Sequence, residues 1–333
     1  MVNQKDVAKK AGVSSATVSA VINQNKFVSE DFKNRVLEAI EELDYEPDII
    51  ARSLKINKSN SIGIIVGNIL SQAYSIIAKA AEDIAYKHNF NLIVCNSDDN
   101  PQKELNYLKV LSSNRVAGII LTSSGNNVEY VKKIIKKGIK IVLLDRFIKG
   151  IDCDAVVAEH ENAAYNATKY LIEQGFTKIG IICGPLNITS GQERFNGYIK
   201  ALKEAGISED KNLIKIGTFK KQSGIAFLKE LMTGPTKPEA IFTANLDLTL
   251  GAIEMIKHMK LNIPEDISII GFDDSEWFKI ISPPITVVAH SSYDYGASAA
   301  RLLFERIINN NDGEPIIKRL KTTLLIRGSV KQL

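Results

Sequence analysis

The chain has 333 residues, with 42 Lys and Arg against 38 Asp and Glu, a formal charge of +4, and 45 % hydrophobic residues. That composition excludes a disordered chain, three cysteines in such a length exclude a disulfide scaffold, and no apolar run is long enough to span a bilayer. A balance this close to neutral carries no argument for nucleic acid by itself, so placement has to decide.

The first element pair is the most informative. Residues 2–23 read as two short helical patterns flanking Ala11-Gly12-Val13-Ser14, with glycine at the turn and serine placed to cap the second helix. That is the spelling of a helix-turn-helix. Val7, Ala8 and Ala11 fall on one side of the first helix and Val18, Val21 and Ile22 on one side of the second, with Val13 between them. A third helix over 29–44 offers Phe32, Val36, Leu37, Ile40 and Leu43 at helical spacing, with Ser29 as its N-cap and Pro47 as its stop. In such units the second helix enters the major groove. Its outer face presents Ser15, Ala16, Thr17 and Ala20 to base edges, with Lys5, Ser14, Ser19 and Asn23 within reach of phosphates. None of these is an Arg or Gln, so reading rests on hydroxyls, methyls and DNA shape. The competing reading is a structural helical bundle with an incidental turn. The first sixty residues hold nine cations and nine anions, the cations before residue 36 and after residue 51, which implies a basic surface and an acidic back.

Residues 47–60 are helix-compatible but hold too few apolar groups for an isolated helix, so a partner such as DNA must order them. Beyond residue 61 the texture changes. Apolar strands at 61–67, 91–96, 118–122 and 140–145 alternate with helical patterns at 74–88, 101–113 and 126–137. The rhythm restarts with a helix at 161–175 and strands near 178–184, 213–217, 240–244 and 268–272, which predicts two open, parallel α/β subdomains with ligand-binding edges at their strand ends.

KDVAKKAGVSSATVS, VLEAIEELDYEPDIIARSL, GIIVG, VAGIIL, LLDR, ERFNGY, PEDISIIGFDD and PPIT run through the whole chain, and on them it resembles the LacI/GalR family of bacterial transcription regulators. The resemblance implies an α/β fold with an N-terminal helix-turn-helix headpiece (1–46), a hinge helix or linker (47–60) and a two-subdomain, periplasmic-binding-protein-like, doubly wound core (61–333). Its N-subdomain would take about 61–158 and 290–318, and its C-subdomain about 159–289 and 319–330. It also implies a hinge helix that pairs with its symmetry mate in the minor groove, where Leu54 wedges a base step beside Ala51, Arg52, Ser53 and Lys55. One departure stands out: the family commonly has Arg where this chain has Ala20.

Asp145 and Arg146 end a strand, Arg194 opens a helix after Gly191, and Asn245 and Asp273 with Asp274 follow strands. Matching positions in the family contact effectors, and carboxylates that accept beside Arg and Asn that donate suit a sugar, sugar acid or sugar phosphate, with a nucleobase or a regulatory protein partner as the open alternatives. Tyr74, Phe219 and Trp277 are the aromatic candidates, and Ser71-Gln72-Ala73-Tyr74 replaces the usual Asn-Pro-Phe-Phe in the effector region, as Asn245-Leu246, with Asp247 one place later, replaces an Asn-Asp pair. Catalysis finds no motif, Cys95, Cys153 and Cys183 lack metal spacing, and His88, His160, His258 and His290 are scattered singly, so neither cofactor nor metal is expected. The expectation is a cytoplasmic, non-enzymatic homodimer on double-stranded operator DNA, repressing carbohydrate-utilisation genes and switched by a small-molecule effector, with no membrane association. An exported sugar-binding protein of the same architecture and a doubly wound enzyme are the competing readings.

Overall fold

The computed structural model describes residues 2–23, 26–45, 59–309 and 313–332, apart from the side chain of Asn23. The expected hinge residues Ala51, Arg52, Ser53, Leu54 and Lys55 lie outside the described residues. The chain forms two compact units, Met1–Ser59 and Asn60–Leu333.

The first unit holds α1 (Gln4–Ala11), α2 (Ser15–Asn23) and α3 (Glu30–Glu42). Asn3 starts α1 as a capping box: its side chain accepts from the amides of Lys5 and Asp6, and the Asp6 carboxylate accepts from the Asn3 amide at 2.9 Å. Gly12 ends α1 with φ of 66°, a left-handed value that a side chain would strain. Ser14 caps α2 by accepting from the Thr17 amide at 3.1 Å. Ser29 occupies the start of α3 but makes no side-chain cap bond there. Val7, Ala8, Ala11, Val18, Val36 and Ala39 form the core, and each valine contributes roughly 1.5–3 kcal/mol by leaving water. Phe32 and Leu37 of α3 are exposed despite their helical spacing, because the small core closes over Val36 and Ala39; the Arg35 guanidinium lies over the Phe32 ring instead.

The second unit alternates β1 (Ser61–Val66), α4 (Gln72–Lys87), β2 (Asn91–Asn96), α5 (Pro101–Ser113), β3 (Gly118–Leu121), α6 (Val128–Lys136), β4 (Lys140–Leu144) and β5 (Asp154–Ala158). It continues with α7 (His160–Glu173), β6 (Ile179–Cys183), α8 (Thr189–Glu204), β7 (Ile214–Ile216), α9 (Lys221–Thr233), β8 (Ala240–Thr243), α10 (Leu246–His258), β9 (Ser268–Phe272), α11 (Glu276–Ile280) and β10 (Thr286–Ala289). The last elements are α12 (Ser292–Ile308), β11 (Ile317–Leu320) and β12 (Thr323–Leu325).

These strands sort into two six-stranded sheets, ordered β11-β5-β4-β3-β1-β2 and β12-β10-β9-β8-β6-β7. All pairings are parallel except β12 against β10. The central strands are buried along their length, β3, β5, β6, β8 and β9 without a single exposed position, as helices on both faces require. One face of the first sheet packs on α4 and α12, the other on α5 and α6; the second sheet packs on α7 and α8, and on α9 and α10. The chain crosses from the first lobe to the second after β5, returns after β10 to place α12 and β11, and crosses again to end at β12. Periodicity alone could not show this, since β11 and β12 are short and stand next to each other in sequence while belonging to different sheets. Arg306 of α12 locks the return by a two-pronged bond to Asp154 at 2.7 and 2.8 Å.

Candidate functional site

Parallel strands in both lobes point their carboxyl ends at one cleft, the place where open α/β sheets accept ligands. Its empty volume, open mouth included, is about 560 Å³. Ser71, Tyr74, Asp145, Arg146, Arg194, Phe219, Asn245 and Asp273 all line it.

The first lobe contributes the exit of β4. Asp145 leaves that strand with φ of 65°, a sparsely populated conformation for a side chain with a Cβ. The turn brings its carboxylate to His160 Nε2 at 3.1 Å and to Arg194 and Arg146 nitrogens at 3.6 Å each. Burial pushes this carboxyl up, but His160, Arg194 and Arg146 outweigh burial and hold it well below the ordinary carboxylate value. Arg146 is buried and forks onto Asp99 at 2.6 and 3.4 Å. Arg194 lies within α8 rather than at its start; it donates to the Ala244 carbonyl at 2.5 Å and stacks 3.9 Å from the Phe272 ring centroid.

The second lobe contributes the exits of β6, β8 and β9. Gly184, just after β6, has no Cβ to clash with the Phe219 ring, which would otherwise meet it at 2.3 Å. Phe219 therefore lies over the β6 exit, with the guanidinium carbons of Arg146 and Arg194 at 5.4 and 5.8 Å from its centroid. Asn245 caps α10 by accepting from the Leu248 amide and donates to the Phe219 carbonyl at 3.1 Å. Asp273 leaves β9 with φ of 70°, and His290 Nε2 lies 3.1 Å from its carboxylate. Burial raises this carboxyl, while His290 and Arg194 bring it below its ordinary value.

Asp274 and Trp277 do not join the cleft. Asp274 is clamped by Arg327 at 2.7 and 2.8 Å. Trp277 follows Ser275, the cap of α11; that helix turns Phe278 into the core and leaves Trp277 60 % exposed and outside the lining, since neighbouring helical residues point about 100° apart.

Several lining residues carried no local signal in the sequence. Asp99 arrives from the loop after β2, Asn68 from the loop after β1, and His290 and Tyr295 from the second crossover, while Asp247, flagged beside Asn245, joins from the first turn of α10. Asn68 donates to Asp247 at 2.8 Å and Ser275 to Gln72 at 2.7 Å, so both ties join the two lobes. Burial is the main cause that raises the Asp247 carboxyl, helped by Asp273 and Asp99. The thiols take no part: burial pushes Cys95 up to about 11 and both Cys153 and Cys183 up to about 12.

On the headpiece, Ser14, Ser15 and Ala16 are exposed and Thr17 and Ser19 half-buried. Lys5 is exposed on α1. Ala20 is 8 % exposed, packed among its neighbours rather than presented outward, because it has no atoms beyond Cβ to reach past them. No helix among the described residues is long and apolar enough to cross a membrane.

The model for bacterial regulatory proteins of the lacI family matches residues 4–48, and that for a periplasmic binding protein-like domain matches residues 168–330. The HTH-type transcriptional repressor PurR of Haemophilus influenzae is 36 % identical over 340 residues, covering 100 % of both chains. Among solved structures, a complex of the transcriptional regulator CelR with cellobiose is 27 % identical with a TM-score of 0.75, covering 99 % of this chain and 100 % of that one. A LacI family transcriptional regulator from Enterococcus faecium with bound ribose is 29 % identical with a TM-score of 0.73, covering 82 % of this chain and 99 % of that one. With its helix-turn-helix unit, its two-sheet α/β core and 36 % identity along its full length to a known repressor, this chain belongs to the LacI family of bacterial regulatory proteins.

Proposed function

We propose that the protein is a ligand-responsive transcriptional repressor whose cleft takes an uncharged sugar. The charge of the lining carries this reading. Four carboxylates (Asp99, Asp145, Asp247 and Asp273) stand against two guanidiniums, and both guanidiniums are already committed to Asp99 and Asp145. A phosphate or sugar acid would add negative charge to a surplus of it, whereas hydroxyls donate to carboxylates and a sugar ring's apolar face suits Phe219 and Tyr74. Cellobiose and ribose bound in two relatives of known structure agree with that chemistry. This narrows the wider expectation of a sugar, sugar acid or sugar phosphate, and a regulator is favoured over an enzyme or an exported binding protein by the family itself.

In this reading α2 reads a palindromic operator through Ser15, Ala16 and Thr17, with Lys5, Ser14, Ser19 and Asn23 on phosphates. Two headpieces of a homodimer meet successive half-sites. Ala51, Arg52, Ser53, Leu54 and Lys55 form the DNA-ordered hinge, and closure of the lobes changes the spacing of the two hinges. A thermal-shift panel of D-ribose, D-glucose and cellobiose beside their acids, phosphates and nucleobases tests the ligand class. A neutral sugar is expected to raise the melting temperature; a rise with only a phosphate, an acid or a nucleobase contradicts it. On the DNA side, Ala20→Arg is expected to change the base preferred in a randomised-operator selection by a discrimination of about 1–3 kcal/mol; an unchanged preference removes position 20 from base reading.

A further inference from the structure

Two of the passages between lobes each carry a histidine beside a cleft carboxylate. His160 opens α7 with its Nε2 3.1 Å from Asp145, and His290 follows β10 with its Nε2 3.1 Å from Asp273. The likeness stops at the second ring nitrogen. Nδ1 of His160 faces the Arg194 guanidinium at 3.3 and 3.4 Å. Nδ1 of His290 is buried without a partner among the described residues, in a ring that lines the cleft and lies 4.9 Å from the Tyr295 ring. The Asp273 carboxylate only accepts, so the neutral imidazole keeps its proton on Nε2 and leaves a lone pair on Nδ1. A buried acceptor left unpaired is costly, and a site that holds one rejects ligands unable to satisfy it.

We infer that His290 is a specificity-determining residue of the cleft, its Nδ1 accepting a hydrogen bond from an O–H or N–H donor of the bound ligand. This deepens the reading of the cleft as a ligand site. Asp273 fixes the ring, and the free lone pair discriminates against a ligand that presents a carbonyl or carboxylate oxygen at that point.

The test uses the full chain and two substitutions. In His290→Gln the amide reaches the place of Nε2 and nothing replaces Nδ1; in His290→Asn the amide oxygen takes the place of Nδ1 and the tie to Asp273 is lost. Circular dichroism confirms that each variant is folded. The probe is whichever of D-ribose, D-glucose, cellobiose, adenine or hypoxanthine raises the wild-type melting temperature, and its affinity is measured by calorimetry. Gln is expected to weaken binding roughly tenfold or more, with Asn recovering most of the loss. Gln binding as tightly as the wild type, or Asn binding more weakly than Gln, overturns the inference, because the histidine would then serve only to hold Asp273. Binding by a nucleobase and by no sugar sinks the sugar reading, while the same two variants still decide the role of His290. If no probe binds, nitrogen NMR of imidazole-labelled protein decides: a proton on Nε2 is expected, and a proton on Nδ1 overturns the inference.

Discussion

The exits of β4 and β9 use the same parts to different ends. Each turns an aspartate out in left-handed backbone, and each sets a histidine Nε2 3.1 Å from its carboxylate. At β4 the charges close on one another: Asp145 meets His160, Arg194 and Arg146, and Arg146 also holds Asp99. At β9 the Asp273 carboxylate pairs directly only with His290 Nε2 among the described residues, and Nδ1 on the far side of that ring has no partner there. A cleft can thus divide its work between the two lobes. One exit is a preorganised electrostatic frame, and the other keeps hydrogen-bonding capacity for a ligand.

The largest effect is expected of Arg194→Ala. It removes the charge that faces Asp145, caps His160 and stacks on Phe272, and leaves a buried carboxylate poorly paired. A loss of about 3–5 kcal/mol in stability is expected by chemical denaturation, together with loss of ligand binding; a variant as stable as the wild type contradicts the frame at β4. The pH dependence of Asp145→Asn probes the same frame more gently. A carboxyl held below its ordinary value stabilises the fold at any pH above the unfolded value of about 3.9, and the contribution disappears as pH falls from there toward the depressed folded value. The wild type's advantage over Asp145→Asn should therefore be constant from pH 7 to 5 and shrink only in stronger acid, as read by urea melts across pH. A difference that shrinks at neutral pH would show that the neighbouring cations do not outweigh burial. The smallest effect is expected at Trp277→Phe, beside the β9 exit but outside the cleft. Ligand affinity by calorimetry should stay within about twofold, below the scale of a lost hydrogen bond; a larger change would put the indole on the ligand.

Much of this arrangement was legible in the sequence where the signal is local. Gly12 between two apolar-periodic helices and Ser14 after it spell the headpiece turn, and Asp145, Arg146, Asn245 and Asp273 stand where apolar strands end. The rest depends on distance along the chain. His160 and His290 are single residues with no motif around them, and only the crossing of the chain between lobes brings them to carboxylates 15 and 17 positions away. Asp99 sits in a loop that looks solvent-bound until the lobes face each other. Trp277 shows the converse: its neighbourhood suggested the cleft, but one helical step separates it from buried Phe278. Phe32 and Leu37 keep perfect spacing, yet a three-helix unit this small has too little interior to cover them.

Whether the cleft governs the headpiece's grip on DNA is read most directly by fluorescence anisotropy of a labelled palindrome selected from a randomised pool. Full-length protein should bind that duplex more tightly than a scrambled one, in a salt-sensitive way, and a saturating neutral sugar should shift the dissociation constant. Equal affinity for palindrome and scrambled duplex, unchanged by any ligand that raises the melting temperature, would contradict that control.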